Sequence, residues 1–271
     1  MGTKVGIHLL LLASALFFFV TPQSGCGKSG RDGITLAGST AFQPFAEKLA
    51  ERYLAAHPDE SIDVQGGGSA VGIQAAISGA AEIGVADMLQ LPQEAAALTA
   101  TVVARDGIAL VVHPSNPLRE LTAEQAHDIF AGRIRNWRDL GGRNATIHVF
   151  SREDGSGTRK SFDKMVLRGD RVSGEALYQN SNGTIREAVA SDPNAIGYVS
   201  IGLVNDKVKA LLWNGVEPTN QNVVDGIYPL ARPVYFLTRG EPAPPARRFI
   251  EYVLSAEGQQ ILAAEGLVPV N

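Results

Sequence analysis

Apolar and polar positions follow two rhythms along this chain. Short apolar runs beside turn residues predict strands, and apolar residues three or four apart predict helices between them. Ile34-Thr35-Leu36 reads as a strand. Thr40 to Ala56 reads as a helix, with Phe42, Phe45, Leu49, Tyr53 and Leu54 on one face and Glu47, Lys48, Glu51 and Arg52 on the other. Pro44 falls early enough to be tolerated, but should loosen the first turns. A strand at Ile62 to Gln65, a helix at Ala70 to Ser78 and a strand at Ile83 to Ala86 follow. Strand–helix–strand alternation predicts parallel strands covered by helices, joined by right-handed crossovers.

Ala100 to His113 is a long β-rich stretch containing Asp106-Gly107 and closed by Pro114 and Pro117. Beyond it the pattern predicts helices near Ala123 to Phe130, Ser156 to Leu167 and Thr184 to Ala190. Strands are predicted at Thr146 to Phe150 and Ile196 to Val199. Tyr228 to Leu237 is again extended and carries Pro229 and Pro233. Helical spacing returns at Ala246 to Leu254 and Ala256 to Ala264. The two proline-punctuated stretches read as crossings between two lobes. Lobe 1 would then be 34–106 with 233–271, and lobe 2 would be 107–232. One continuous α/β domain is the alternative.

The N-terminus has a different pattern. Lys4 precedes an unbroken apolar run, Leu9 to Val20, and small or polar residues follow to Gly25. A basic start, a run of about 7–15 apolar residues and a small-residue exit predict a secretory signal over 1–25, and a membrane span would need ~20. Residues 26–33 then form a polar linker. Cys26 is the single cysteine and has no disulfide partner in the chain. Ser24-Gly25-Cys26 resembles the end of a bacterial lipoprotein cleavage site, although Gln23 departs from the usual leucine. Lipidation at Cys26, or a plain cleaved signal with an idle thiol, both fit.

Composition narrows the function. Charged residues make up 19% of the chain and the formal charge is −4, so no basic stripe invites nucleic acid. Any anion must be held by a local site. His57, His113, His127 and His148 lack metal-ligand spacing, so neither a metal nor another cofactor is expected. No G-x-S-x-G elbow occurs. Gly27-Lys28-Ser29 mimics the end of a P-loop, but Pro22 stands where its first glycine belongs.

Three runs share one design: Gly38-Ser39-Thr40, Gly66-Gly67-Gly68-Ser69 and Gly155-Ser156-Gly157-Thr158. Each is a glycine-rich turn after a strand that leads into a helix. Free backbone N–H groups, the helix dipole and hydroxyls there can receive an oxyanion; ordinary capping by Ser or Thr is the alternative. Arg152, at a strand end, can donate two parallel hydrogen bonds to such an anion, and Asp154 is near enough in sequence to orient it. Asp87 ends the Ile83 strand and would repel an anion, unless the anion carries a proton for it to accept. Phosphate does and sulfate does not. The alternative for Asp87 is a cap on the next segment.

Together these runs resemble the phosphate-binding proteins of the bacterial phosphate-specific ABC transporter, which are type II periplasmic binding proteins. The matching segments are Gly38 to Tyr53, Gly66 to Asp87, Ser151 to Phe162, Ala195 to Ser200 and Tyr228 to Thr238. The resemblance implies an α/β fold of two lobes, each a helix-covered, mainly parallel sheet, joined by two crossing strands. It implies that Ser39, Thr40, Ala41, Ser69, Asp87, Arg152, Ser156, Gly157 and Thr158 contact phosphate and that Asp154 supports Arg152. Ala41 stands where some members carry a bulkier residue. It further implies a monomeric, extracytoplasmic binding protein that delivers phosphate to a membrane permease and is not an enzyme. A binder of sulfate, molybdate or tungstate, or a secreted phosphatase on the same fold, are the competing readings.

Overall fold

Nine strands form one sheet in the computed structural model, which describes residues 33–270 together with Met1 and Gly2. Residues 3–25 of the expected signal, Cys26 and the linker as far as residue 32 lie outside the described residues, while Gly33, expected to end the linker, opens the first strand. Arg31–Asn271 form one compact unit. The early strands are β1 (Gly33–Gly38), β2 (Ser61–Gln65), β3 (Ile83–Asp87) and β4 (Thr99–Val112). A two-residue strand, β5 (Glu120–Leu121), stands apart from the sheet. Then come β6 (His148–Arg152), β7 (Leu177–Gln179), β8 (Ala195–Ser200), β9 (Lys209–Ala210), β10 (Leu212–Trp213) and β11 (Ala231–Thr238). The order is β2-β1-β3-β11-β4-β8-β6-β7, with β9 on β4, while β10 pairs with β5. Pairs of β1 with β2 and β3, and of β6 with β7 and β8, are parallel, as the strand–helix rhythm predicts. β4 and β11 run antiparallel to their neighbours.

The helices are α1 (Gln43–Ala56), α2 (Ser69–Ser78), α3 (Ala123–Phe130), α4 (Gly157–Phe162), α5 (Asn182–Ser191), α6 (Asn220–Val224), α7 (Pro244–Leu254) and α8 (Ala256–Ala264). α1 starts three residues later than the apolar spacing predicts. Pro44 then falls in its first turn, where a missing N–H costs nothing. The helix expected over Ser156 to Leu167 divides into α4 and a wider π turn, Asp163–Leu167, which buries both Val166 and Leu167.

Among the described residues, the two largest hydrophobic cores cover the two halves of the sheet. One joins Leu36, Phe42, Leu49, Phe236 and Phe249; the other joins Leu110, Phe130, Phe162, Trp137 and Tyr198. Burying each such aromatic contributes about 1.5–3 kcal/mol. Along β4, Val103 and Ala104 belong to the first core and Ile108 and Leu110 to the second. The strand's pairing changes at the same place. Its first part lies against β11, with Asp106 opposite Arg232, and from Ile108 it pairs with β8. Pro233 sits inside β11 because pairing with β3 ends at the Val234–Asp87 rung, so no N–H is needed on that side. The end of β3, the start of α4 and the first residue of α5 reach this switch of partners through Asp87, Thr158 and Asn182.

Candidate functional site

β3 delivers Asp87 to the crossing, and almost every polar group nearby turns toward it. Ser69, the first residue of α2, donates to Asp87 Oδ1 at 2.8 Å and accepts from the Asp87 N–H at 3.1 Å. Thr158 of α4 donates to Oδ2 at 2.9 Å. Arg232 of β11 reaches Oδ2 with Nε at 2.9 Å and Nη2 at 2.6 Å. Its Nη2 also meets Asp106 Oδ2 at 2.9 Å and Thr158 Oγ1 at 3.1 Å. Ser200 of β8 donates to Asp106 Oδ1 at 2.7 Å. Asp87, Asp106, Arg232, Ser69, Thr158 and Ser200 are all buried.

Burial alone would push the Asp87 carboxyl up. The Arg232 charge and hydrogen bonds from Ser39, Arg232 and Ser69 outweigh it and hold Asp87 below the ordinary carboxylate value. Asp106 goes the other way. Its burial outweighs Arg232 and Ser200, the Asp87 charge adds to the effect, and its carboxyl is pushed up to about 6. Burial works against the Arg232 cation too, but its two carboxylates more than offset that and raise its pKa.

Arg152 closes the site from the other side. Glu153 grips it with both oxygens, Nη2 at 2.8 Å and Nε at 2.9 Å. Nη2 also donates to Thr40 Oγ1 at 3.0 Å, 112 residues away in sequence. Arg152 is 1% exposed, and its Nη1 has no partner among the described residues. A guanidinium nitrogen left unbonded away from water costs free energy unless something fills the place. Arg232 Nη1 and Asn182 Nδ2 are also buried without partners among the described residues. Asn182 accepts the Ser200 N–H through Oδ1, which links it to the Asp106 group.

The sequence-predicted residues fall around these two arginines in different ways. Thr40 Oγ1 accepts from Arg152, so its own hydrogen remains free. Ser39 accepts the Phe42 N–H in the turn before α1, where a helix start at Thr40 was expected. Ala41 is buried beside it. Ser69 and Thr158 spend their hydrogens on Asp87 rather than on a cap. Ser156 does cap α4, accepting the Arg159 N–H. Gly157 packs so closely that a β-carbon would collide with Ser69 Oγ and the Asp87 carbonyl. The Gly155 carbonyl accepts from the Ala70 N–H at 3.1 Å, which ties the α4 turn to α2.

One expectation is corrected. Asp154 does not orient Arg152: it is 89% exposed and pairs with Arg159 at 2.7 Å. Glu153 holds Arg152 instead. β6 ends at Arg152, so strand alternation no longer sets neighbouring side chains on opposite faces, and the Glu153 carboxylate lies along the guanidinium while Asp154 faces solvent. Arg232 and Asp106 were missed altogether. The signal for Arg232 was a single charge inside an apolar crossing stretch, which requires a partner there; Asp106 follows Arg105 and gave no such signal.

The sequence signature of the PBP superfamily domain matches residues 25–257. The chain belongs to the PBP superfamily. This PBP chain is 33% identical to the phosphate-binding protein PstS of Bacillus subtilis, over 97% of this chain and 94% of the relative. A crystal structure from Clostridium perfringens, of a candidate phosphate ABC transporter substrate-binding protein with bound phosphate, superposes with a TM-score of 0.85. It has 39% identity and covers 89% of this chain and 100% of its own. An ABC-type phosphate transport receptor from Vibrio cholerae gives 0.72 at 34% identity, over 87% and 99%. The first of these relatives is named for phosphate binding, and the two solved structures for ABC-type phosphate transport. Among the described residues no helix is long and apolar enough to cross a membrane.

Proposed function

We propose that this PBP chain binds inorganic phosphate between its two lobes and delivers it to an ABC transporter permease. The observation that carries the reading is the unpartnered, buried Nη1 of Arg152, beside a hydroxyl whose hydrogen is free. An oxyanion fills that place with a charge-assisted bond. Ser39, Thr40, Ala41, Ser69, Ser156, Gly157 and Thr158 surround it as hydroxyl and backbone donors. The lobes divide at 106/107 and 232/233, where β4 and β11 cross.

Hydroxyl hydrogens turn about their C–O bonds. In this proposal those of Ser69 and Thr158 swing from Asp87 to the anion as it enters. Asp87 is ionised, and its freed lone pairs accept a hydrogen bond from the proton that phosphate keeps. Sulfate offers no such proton, so two acceptors would face each other unpaired. A site built around one hydrogen bond rejects a ligand that lacks it by a factor on the order of 10⁴. The chain performs no hydrolysis in this reading, acts as a monomer outside the cytoplasm, and is tethered if Cys26 is lipidated.

Calorimetric titration with phosphate, sulfate and molybdate tests the assignment. The wild-type protein is expected to bind phosphate far more tightly than the other two. Asp87→Asn should narrow the gap between phosphate and sulfate, because an amide donates to either. An unchanged ratio would remove Asp87 as the proton acceptor. A phosphomonoester assay tests the enzyme alternative; turnover there would displace the transport reading.

A further inference from the structure

Four side chains hold Asp87, and they are not equivalent. Ser39, Ser69 and Thr158 act through hydroxyls, each of which can turn to a new acceptor. Arg232 cannot turn away. Its donors lie in a rigid plane, and Nε reaches the Asp87 carbonyl at 3.2 Å as well as the carboxylate at 2.9 Å. Asp106 anchors the same guanidinium at 2.9 Å, and Ser200 fixes Asp106 in turn. Arg232 is therefore the one donor that remains on Asp87 when an anion draws the hydroxyls off.

We propose that Arg232 sets the site's choice of anion by acting through Asp87, keeping that carboxylate charged and in one orientation so that it accepts a hydrogen bond and donates none. This rests on the phosphate reading above. Arg232 is a positioning residue, joined to the anion through Asp87 and Thr158. Without it, a fully buried carboxyl would take up a proton. A protonated Asp87 donates a hydrogen bond, and a fully ionised tetrahedral anion then becomes a welcome guest. Arg232 from β11 and Asp106 from β4 are the charged groups at Asp87; the β1–α1 turn, α2 and α4 present hydroxyls.

The test compares the phosphate-to-sulfate affinity ratio, by calorimetry from pH 5 to pH 8, in wild type, Asp87→Asn, Arg232→Gln and Arg232→Lys. Arg232→Gln should shrink the ratio by at least about tenfold, the change that one unit of carboxyl pKa brings. Arg232→Lys keeps the charge and should restore most of the ratio at pH 8, with the loss returning as pH falls. Equal weakening of both anions in Arg232→Gln would make the residue merely structural and overturn the proposal. Should Arg232→Gln not fold, Arg232→Lys decides: a ratio identical to wild type at every pH overturns it. If Asp87→Asn narrows the ratio and the Arg232 variants do not, the phosphate reading stands and only this assignment falls. If Asp87→Asn leaves the ratio unchanged, Asp87 does not choose the anion and this assignment falls; the phosphate reading falls only if the wild-type protein fails to bind phosphate.

Discussion

The β6–α4 turn and the β4–β11 crossing each carry an arginine only 1% exposed, but the two are held differently. Arg152, at the turn, is gripped by Glu153, a half-buried side chain 31% exposed, and by Thr40 from across the cleft. Arg232, at the crossing, is clamped between two carboxylates that are themselves buried. One cation faces a partner that can still reach water. The other faces partners that cannot. The difference separates a cation available to a visitor from a cation that maintains the site.

Substitutions should pull these two apart. The largest effect is expected at the crossing. Arg232→Ala leaves Asp87 and Asp106 buried without a countercharge and should cost about 3–5 kcal/mol of stability, read by denaturant unfolding. Arg152→Ala should cost about 2–5 kcal/mol of phosphate binding in calorimetry, with a smaller loss in unfolding, because Glu153 can turn to solvent. If the two variants showed the same balance of stability and binding, the contrast between the cations would be empty.

A smaller effect distinguishes the carboxylates. Asp106 has its carboxyl raised from 3.8 to about 6, so the folded protein holds this proton more tightly than the unfolded chain does. Its ionisation removes stability as pH rises through that interval. Asp106→Asn escapes the loss. Relative to wild type, the variant should therefore gain on the order of 1–3 kcal/mol between pH 4 and pH 7 and little beyond. Thermal unfolding across that range measures it, and a flat difference would mean that Asp106 is charged throughout. Asp87, whose pKa is lowered, should stay ionised over the whole interval.

The same two regions show what the sequence could reveal. α3 and α8 run over the spans that their apolar spacing predicts, Ala123–Phe130 and Ala256–Ala264, because short local rules govern them. The run from Ser151 to Thr158 drew attention to Arg152 because a guanidinium at a strand end stands there beside glycines and hydroxyls, although capping, which Ser156 performs, uses the same residues. The start of α1 was misplaced because the turn from Ser39 to Phe42 is fixed by a tertiary setting that includes the Val85 carbonyl, which accepts the Ser39 N–H. Asp154 was favoured over Glu153 because spacing does not report which side chain folds back. Arg232 was hidden for a deeper reason. Its partners, Asp87 and Asp106, lie 145 and 126 residues earlier, and only the sheet order brings β3, β11 and β4 side by side. Local pattern can flag a charge inside an apolar strand, but it cannot name the partner.

The most direct measurement is a high-resolution crystal structure of the protein grown with phosphate. One tetrahedral ion should lie within hydrogen-bond distance of Arg152 Nη1, with the Thr40 and Ser156 hydroxyls around it and one of its oxygens facing Asp87. An ion bound elsewhere, with Arg152 Nη1 still unpartnered, would contradict the account.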